Sequence, residues 1–89
     1  MNKKQEVDII VNDLMGTIIL IVEDEGSFIH EINDFIEKNY DIFVGSNNLN
    51  ISIEEIKNYN IQNILSKKLI EEGYDVENKN NEIYVTATN

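Results

Sequence analysis

The stretch ISIEEIKNYNIQNILSKKLIEEG, residues 51–73, carries the clearest local structural signals in the chain. Ser52 and Glu55 have the spacing of a capping box, in which each side chain accepts a hydrogen bond from the backbone of the other residue. The isoleucines on either side of this pair are placed to form the hydrophobic staple that often accompanies such a box. A helix is therefore predicted to begin at Ile53.

The apolar stripe of this helix changes direction partway along. Its first isoleucines point one way, whereas a later group points roughly a third of a turn away: Ile61, Ile64, Leu65 and Leu69. The offset falls at residues 58–60, which predicts a break there, with Asn60 as the cap of a second helical piece. The helix is predicted to end near Glu72, with Gly73 supplying the left-handed conformation that follows a last turn.

A hairpin is predicted after this helix, because residues 74–77 and 82–86 flank the asparagine-rich segment 78–81. A broken helix followed by a hairpin is also the arrangement of a helix-turn-helix with a wing, which reads DNA. The local lysines are outnumbered by acids, and the chain has no arginine to make the commonest guanine contact. A winged-helix-like DNA-binding protein is therefore only an alternative here.

The N-terminal quarter is predicted to form another hairpin. Apolar residues alternate over 6–11 and run continuously at the centre of 17–23, and the segment between them holds turn residues and a glycine. An alternative interpretation makes residues 3–15 a helix. The many β-branched side chains in that window weigh against the helix, because they lose rotamer freedom against the preceding turn.

An amphipathic helix is predicted next, because apolar residues recur at helical spacing over 28–36, with Ser27 as its cap. Alternation over 40–44 predicts a further strand that ends at Gly45. The predicted order is ββαβα(α)ββ. This order indicates an α+β fold with helices on one face of a mainly antiparallel sheet.

The size of the chain predicts one domain, residues 1–89. It contains no cysteine, and 42% of its residues are hydrophobic, so apolar packing alone must stabilise it. The N-terminus lacks a signal-peptide pattern, and the longest apolar run, Ile18 to Val22, is far below the ~20 residues of a membrane helix. We therefore predict a cytoplasmic protein, which means the host cytosol if a phage encodes it.

No pattern in the sequence indicates catalysis, so we predict that the protein is not an enzyme and binds no cofactor. The single histidine, His30, falls on the polar face of the predicted helix. The four glycines do not form a phosphate-binding motif. The acidic run Glu23 to Glu25 lacks the alternation of a calcium loop, so no metal site is predicted, and we expect it to compensate the dipole of the following helix.

Net charge is the most distinctive property of the chain, at −10 with no arginine. On the predicted helix, acids recur every three residues, a rise of ~4.5 Å that is comparable with the ~3.4 Å charge spacing of one DNA strand. The predicted partner-binding residues are Glu23, Asp24, Glu25, Glu31, Asp34, Glu37 and Asp41. This surface predicts a basic protein partner and opposes nucleic acid and anionic membranes.

Composition also suggests a source, because asparagine, isoleucine and lysine together make up 37 of the 89 residues, as expected in low-GC bacteria and their phages. Small acidic α+β domains of such phages and mobile elements include host-defence inhibitors, anti-CRISPR proteins among them. Our leading hypothesis is an inhibitor of this kind that occupies a basic nucleic-acid-binding surface. Alternatives are an immunity protein or antitoxin, and a homodimeric assembly domain that pairs through an exposed strand edge or through the last hairpin, with Tyr74, Ile83, Tyr84 and Val85 as the contact.

Overall fold

The computed structural model describes residues 1–88, and Asn89, the last residue of the predicted domain, lies outside them. The described chain contains five helices and three strands. In order they are α1 Lys3–Glu25, β1 Ser27–Glu31, α2 Ile32–Lys38, α3 Tyr40–Ser46, α4 Ile53–Lys57, α5 Ile61–Glu71, β2 Tyr74–Lys79 and β3 Glu82–Ala87.

The predicted N-terminal hairpin is wrong, because one helix of 23 residues, α1, occupies its place. The helical alternative for residues 3–15 is correct, and the helix continues ten residues further. Its buried apolar residues recur every three or four positions and form one face: Val7, Ile10, Val11, Leu14, Ile18 and Val22. Burial of this face against the rest of the protein outweighs the low intrinsic helix propensity of its β-branched residues.

Both ends of α1 have conventional caps. Asn2 and Gln5 form a capping box, with the Gln5 N–H donating to Asn2 Oδ1 at 2.8 Å. At the other end Gly26 adopts φ 91°, a left-handed conformation that glycine accepts without strain, and its N–H donates to the Val22 carbonyl. Gly16, which the sequence suggested as a turn, lies exposed within the helix.

The next two predictions need correction as well. Ser27 does not cap a helix, because residues 27–31 form β1 and the helix begins only at Ile32, capped by Glu31. The predicted strand 40–44 is also helical, and it lies within α3. Alternation is a weak signal over so short a segment, and Phe43, which the strand pattern left out, is the buried residue of α3.

In the C-terminal half, the predicted capping box, helix break and hairpin are confirmed. Ser52 and Glu55 form the capping box, and α4 begins at Ile53. The helix breaks at residues 58–60, where the Asn60 side chain accepts from the Asn63 N–H at 3.3 Å. After Gly73, at φ 95°, the β2–β3 hairpin turns through two asparagines with positive φ, Asn80 and Asn81.

The α+β class is confirmed, although the predicted order of elements is not. The three strands form one antiparallel sheet in the order β1-β3-β2. Phe28, Ile83 and Val85 point from the sheet into the core, where α1 contacts β1 and β3 and α5 contacts β2. Polar side chains also join separate elements, since Ser66 on α5 accepts from Asn78 Nδ2 on β2 at 3.2 Å. The helices therefore cover one face of the sheet and leave the other open.

Among residues 1–88, no helix has the length and apolar character needed to span a membrane.

Candidate protein-binding surface

The predicted acidic row on one helix does not form, because β1 occupies its first part. Glu31 ends the strand, and its Oε1 accepts a hydrogen bond from the Asn33 N–H at 2.8 Å. Asp34 and Glu37 do lie on α2. Glu37 Oε2, however, is 3.5 Å from Lys57 Nζ, so α4 partly neutralises it. The seven predicted contact residues are therefore spread over several elements.

The acidic run Glu23 to Glu25 ends α1 rather than preceding a helix. No basic residue lies in that last turn, so the helix dipole opposes these charges instead of stabilising them. The predicted dipole compensation is therefore wrong for this run. Asp41 does occupy the first turn of a helix, α3, and it is exposed.

Two of the predicted residues are brought together with a third acid that sequence reasoning missed. Glu31, Asp34 and Glu82 line one hollow of about 330 Å³ between β1 and α2. The hollow also contains one cation, Lys38. Glu82 joins the two because β3 pairs with β1, a pairing between distant parts of the chain that no local pattern predicts.

The open face of the sheet carries nine side chains in three rows across the strands, since alternate residues of a strand share a face. The register gives the rows Ser27–Thr86–Asp75, Ile29–Tyr84–Glu77 and Glu31–Glu82–Lys79. We call these nine residues the open face. It carries four carboxylates and a single lysine.

No carboxylate of the open face takes part in an ion pair within residues 1–88, although Lys79 lies directly opposite Glu82 in the sheet. The ion pairs among residues 1–88 are Lys3–Glu6, Lys3–Glu55, Lys4–Asp8 and Lys57–Glu37, and none includes an open-face residue. Glu31 and Glu82 are moreover direct cross-strand partners, an arrangement in which like charges destabilise a sheet. The face therefore combines local repulsion with accessible negative charge.

The centre of the open face is less polar than its margins. Ile29 is 44% exposed, and its cross-strand partner Tyr84 is half-buried. A second hollow, of about 510 Å³, lies beside Tyr84 and includes Asp75 and Glu77 in its lining. An aromatic and aliphatic centre with an acidic margin matches the requirements of a binding surface for cationic side chains.

His30 lies on β1 and not on a helix as predicted, although it is exposed as expected. Its ring centroid lies 4.6 Å from that of Phe28 and 5.1 Å from that of Phe35. The two phenylalanines pack edge to face at 5.0 Å. The histidine therefore extends an aromatic cluster that joins β1 to α2, beside the hollow that holds Glu31.

Among residues 1–88, no group of three or more histidine, aspartate or glutamate side chains is arranged to hold a metal ion. One carboxyl has a perturbed pKa. The hydrogen bond that the Ser52 backbone N–H donates to Glu55 holds the pKa of the Glu55 carboxyl below its ordinary value. This carboxylate belongs to the capping box of α4, so its perturbation has a structural cause.

A second candidate surface is formed by α4, the three-residue turn 58–60 and α5, which are followed by the β2–β3 hairpin. In order along the chain these elements match a helix-turn-helix with a wing, although α4 has only five residues. Asn63 and Lys67 are exposed on α5 one helical turn apart. A hollow of about 270 Å³ at the turn is lined by Lys57 and by amide side chains without a carboxylate, in contrast to the open face.

The predicted dimer contact loses its aliphatic members. Ile83 and Val85 are fully buried beneath the helices, so they cannot contact a second copy. Tyr84 remains accessible on the open face, where acids surround it.

In comparisons with known proteins, no family model, curated protein or solved structure matches the chain.

Proposed function

We propose that this protein is a non-enzymatic acidic binding protein that occupies a basic nucleic-acid-binding surface of another protein. The specific form of the proposal is a phage or mobile-element inhibitor of a host effector such as a CRISPR nuclease. An immunity protein or antitoxin would use the same surface chemistry on a different basic partner, and the identity of the partner distinguishes these cases.

The observation that supports the proposal is the large excess of uncompensated acid. The chain has 17 acidic side chains, and the ion pairs of residues 1–88 involve four of them, Glu6, Asp8, Glu37 and Glu55. The net charge of −10 exceeds the magnitude of roughly 2–8 that keeps a small domain in solution. Such a field accelerates encounter with a basic partner and repels nucleic acid.

The test begins with the tagged chain as bait in lysates of candidate hosts, at about 0.1 and about 0.5 M salt, where the screening length falls severalfold. The captured protein is then purified, and its affinity for the chain is measured with and without its nucleic acid. We expect binding that weakens strongly with salt and competes with nucleic acid. Salt-independent binding, or simultaneous binding of chain and nucleic acid, would refute the proposal.

The second candidate function is DNA binding, and the succession of α4, a three-residue turn, α5 and a hairpin favours it. Its exposed asparagine and lysines include residue types that contact adenine and phosphate. It ranks second because the whole-chain charge opposes DNA.

The DNA hypothesis predicts that a mixed pool of duplexes binds the chain at low salt, measured by fluorescence anisotropy. Asn63→Ala and Lys67→Ala should then weaken binding, whereas Lys38→Ala, a control on α2, should not. Absence of binding at low salt would eliminate this candidate.

A further inference from the structure

We propose that the open face of the sheet is the docking surface, and that it binds a segment of the partner protein that carries lysine or arginine side chains. This inference rests on the proposed function and specifies where and how the partner binds. The helices cover the opposite face of the sheet, so the open face is the unpartnered side of the fold.

Charge complementarity identifies the occupant as basic. Glu31 and Glu82 lie directly opposite each other, and Asp34 borders the same hollow. A guanidinium or ammonium group between them would replace repulsion by two charge-assisted hydrogen bonds, which carboxylates accept strongly. Two lysines lie nearby: Lys38 lines the same hollow, and Lys79 is the cross-strand partner of Glu82. Neither lysine forms an ion pair with these acids.

The centre of the open face suits the rest of such a side chain. The exposed part of Ile29 and the Tyr84 ring can contact the aliphatic stem of a lysine or the plane of an arginine. Asp75 and Glu77 border the second hollow on the far side of Tyr84, so a second cation has a place there. A segment that runs diagonally across the strands, from Glu31 over Tyr84 to Asp75, would therefore meet acid, then apolar surface, then acid.

The same features disfavour the other occupants of an open sheet face. A second copy of this chain would bring two sets of carboxylates together at a low-dielectric contact, where the juxtaposition of like charges is strongly unfavourable. Nucleic acid and anionic lipid would meet the same repulsion from the acids at both margins.

The experiment compares two triple variants with equal loss of charge. The open-face variant is Glu31→Gln, Glu77→Gln and Glu82→Gln, and glutamine at position 31 keeps an oxygen that can accept from the Asn33 N–H. The control variant is Glu23→Gln, Asp24→Asn and Glu25→Gln, at the end of α1. The probe is an oligoarginine peptide, titrated at low salt into each isotope-labelled protein and followed by NMR.

We expect the open-face variant to bind the peptide roughly tenfold more weakly, because each exposed charge pair contributes up to about fivefold to the affinity. The control variant should lose less than about threefold. In the parent protein, the largest amide shifts should fall on Ile29, Tyr84 and their strand neighbours. Equal losses in the two variants, or shifts centred on residues 23–25, would overturn the docking surface.

Other measurements keep the alternatives distinguishable. The Glu77→Gln single variant and the parent shift map decide the question if the triple variant fails to fold. Sedimentation showing dimers that bury the open face, or a DNA duplex shifting the same amides, would replace the basic segment with another occupant. Salt-sensitive partner binding that persists in both triple variants would refute this surface and leave the proposed function standing.

Discussion

Glu6 shows how one buried carboxylate joins distant parts of this chain. The residue is 5% exposed in the first turn of α1, and its Oε1 accepts from the Asn50 backbone N–H at 2.6 Å. Lys3 contacts the same loop, because its Nζ donates to the Asn50 carbonyl and lies 3.7 Å from Glu6 Oε2. The loop before α4 is therefore fixed to the start of α1, which no sequence pattern indicated.

Replacement of Glu6 tests this link. Glu6→Ala should lower the free energy of unfolding by about 1–2 kcal/mol, because a partly buried backbone N–H loses its acceptor. Glu6→Gln should cost less, since its amide oxygen can accept the same bond. Urea denaturation measures both. Asp8→Ala, which breaks only the exposed pair with Lys4, is the control and should change stability by less than about 0.5 kcal/mol.

At the scale of elements, the predictions that succeeded depended on short-range chemistry. Ser52 with Glu55, Asn60 and Gly73 each act within one turn of their own position, so the sequence defines α4, α5 and the hairpin well. The prediction of a hairpin over residues 6–23 failed because a run rich in valine and isoleucine suits either a strand or a buried helix. Tertiary packing decided between them.

The prediction of a single helix over residues 28–36 failed for a related reason, because its first residues form β1. Phe28 has the right spacing to share a helix face with Ile32 and Phe35. In the structure Phe28 packs edge to face against Phe35, and Phe28 and Ile32 both belong to the hydrophobic core. Phe28 reaches that cluster from a strand, however, through its pairing with Val85. A periodic pattern indicates which side chains lie together in the core, but it does not specify whether each belongs to a helix or to a strand.

Replacement by alanine should have opposite effects on stability at Gly16, within α1, and at Gly26, which follows it. Gly16 lies inside the helix, and an added Cβ would meet nothing within 4 Å. Gly16→Ala should therefore raise the free energy of unfolding by about 0.5–1 kcal/mol. Gly26→Ala should lower it by about 1 kcal/mol, since φ there is 91°. Thermal or urea unfolding distinguishes them, and equal effects would contradict the helix boundary.

At the scale of the whole molecule, the sequence predicted the amount of charge but not its arrangement. Of the predicted contacts, Glu31 and Asp34 border the hollow at the edge of the open face, whereas Glu37 is paired with Lys57. The open-face acids Asp75 and Glu77 come from β2, which reaches the same side only through the sheet order β1-β3-β2. Such a surface depends on register, and register is a tertiary property.

The net charge of −10 predicts that stability rises with ionic strength, because screening weakens self-repulsion. The Glu23→Gln, Asp24→Asn, Glu25→Gln variant should be more stable than the parent at low salt, since those acids oppose the dipole of α1. Melting temperatures measured against salt should converge for the two proteins. A gap that stays constant with salt would argue against an electrostatic origin.

The pairing of β1 with β3 has a consequence for the time course of folding. The β2–β3 hairpin and α5 are neighbours in the chain, whereas β1 must close a loop that contains four helices. Loop closure of that kind is slow. We expect a nucleus around α5 and the hairpin, to which β1 adds late.

Stopped-flow kinetics can test this order. Leu69→Ala, in the core of α5, should slow folding, whereas Phe28→Leu, in β1, should mainly speed unfolding. Slower folding of Phe28→Leu in proportion to its loss of stability would reverse the order. On the expected route, Glu31 meets Glu82 only after the rate-limiting barrier, so the repulsion between them shortens the lifetime of the native state rather than delaying its formation.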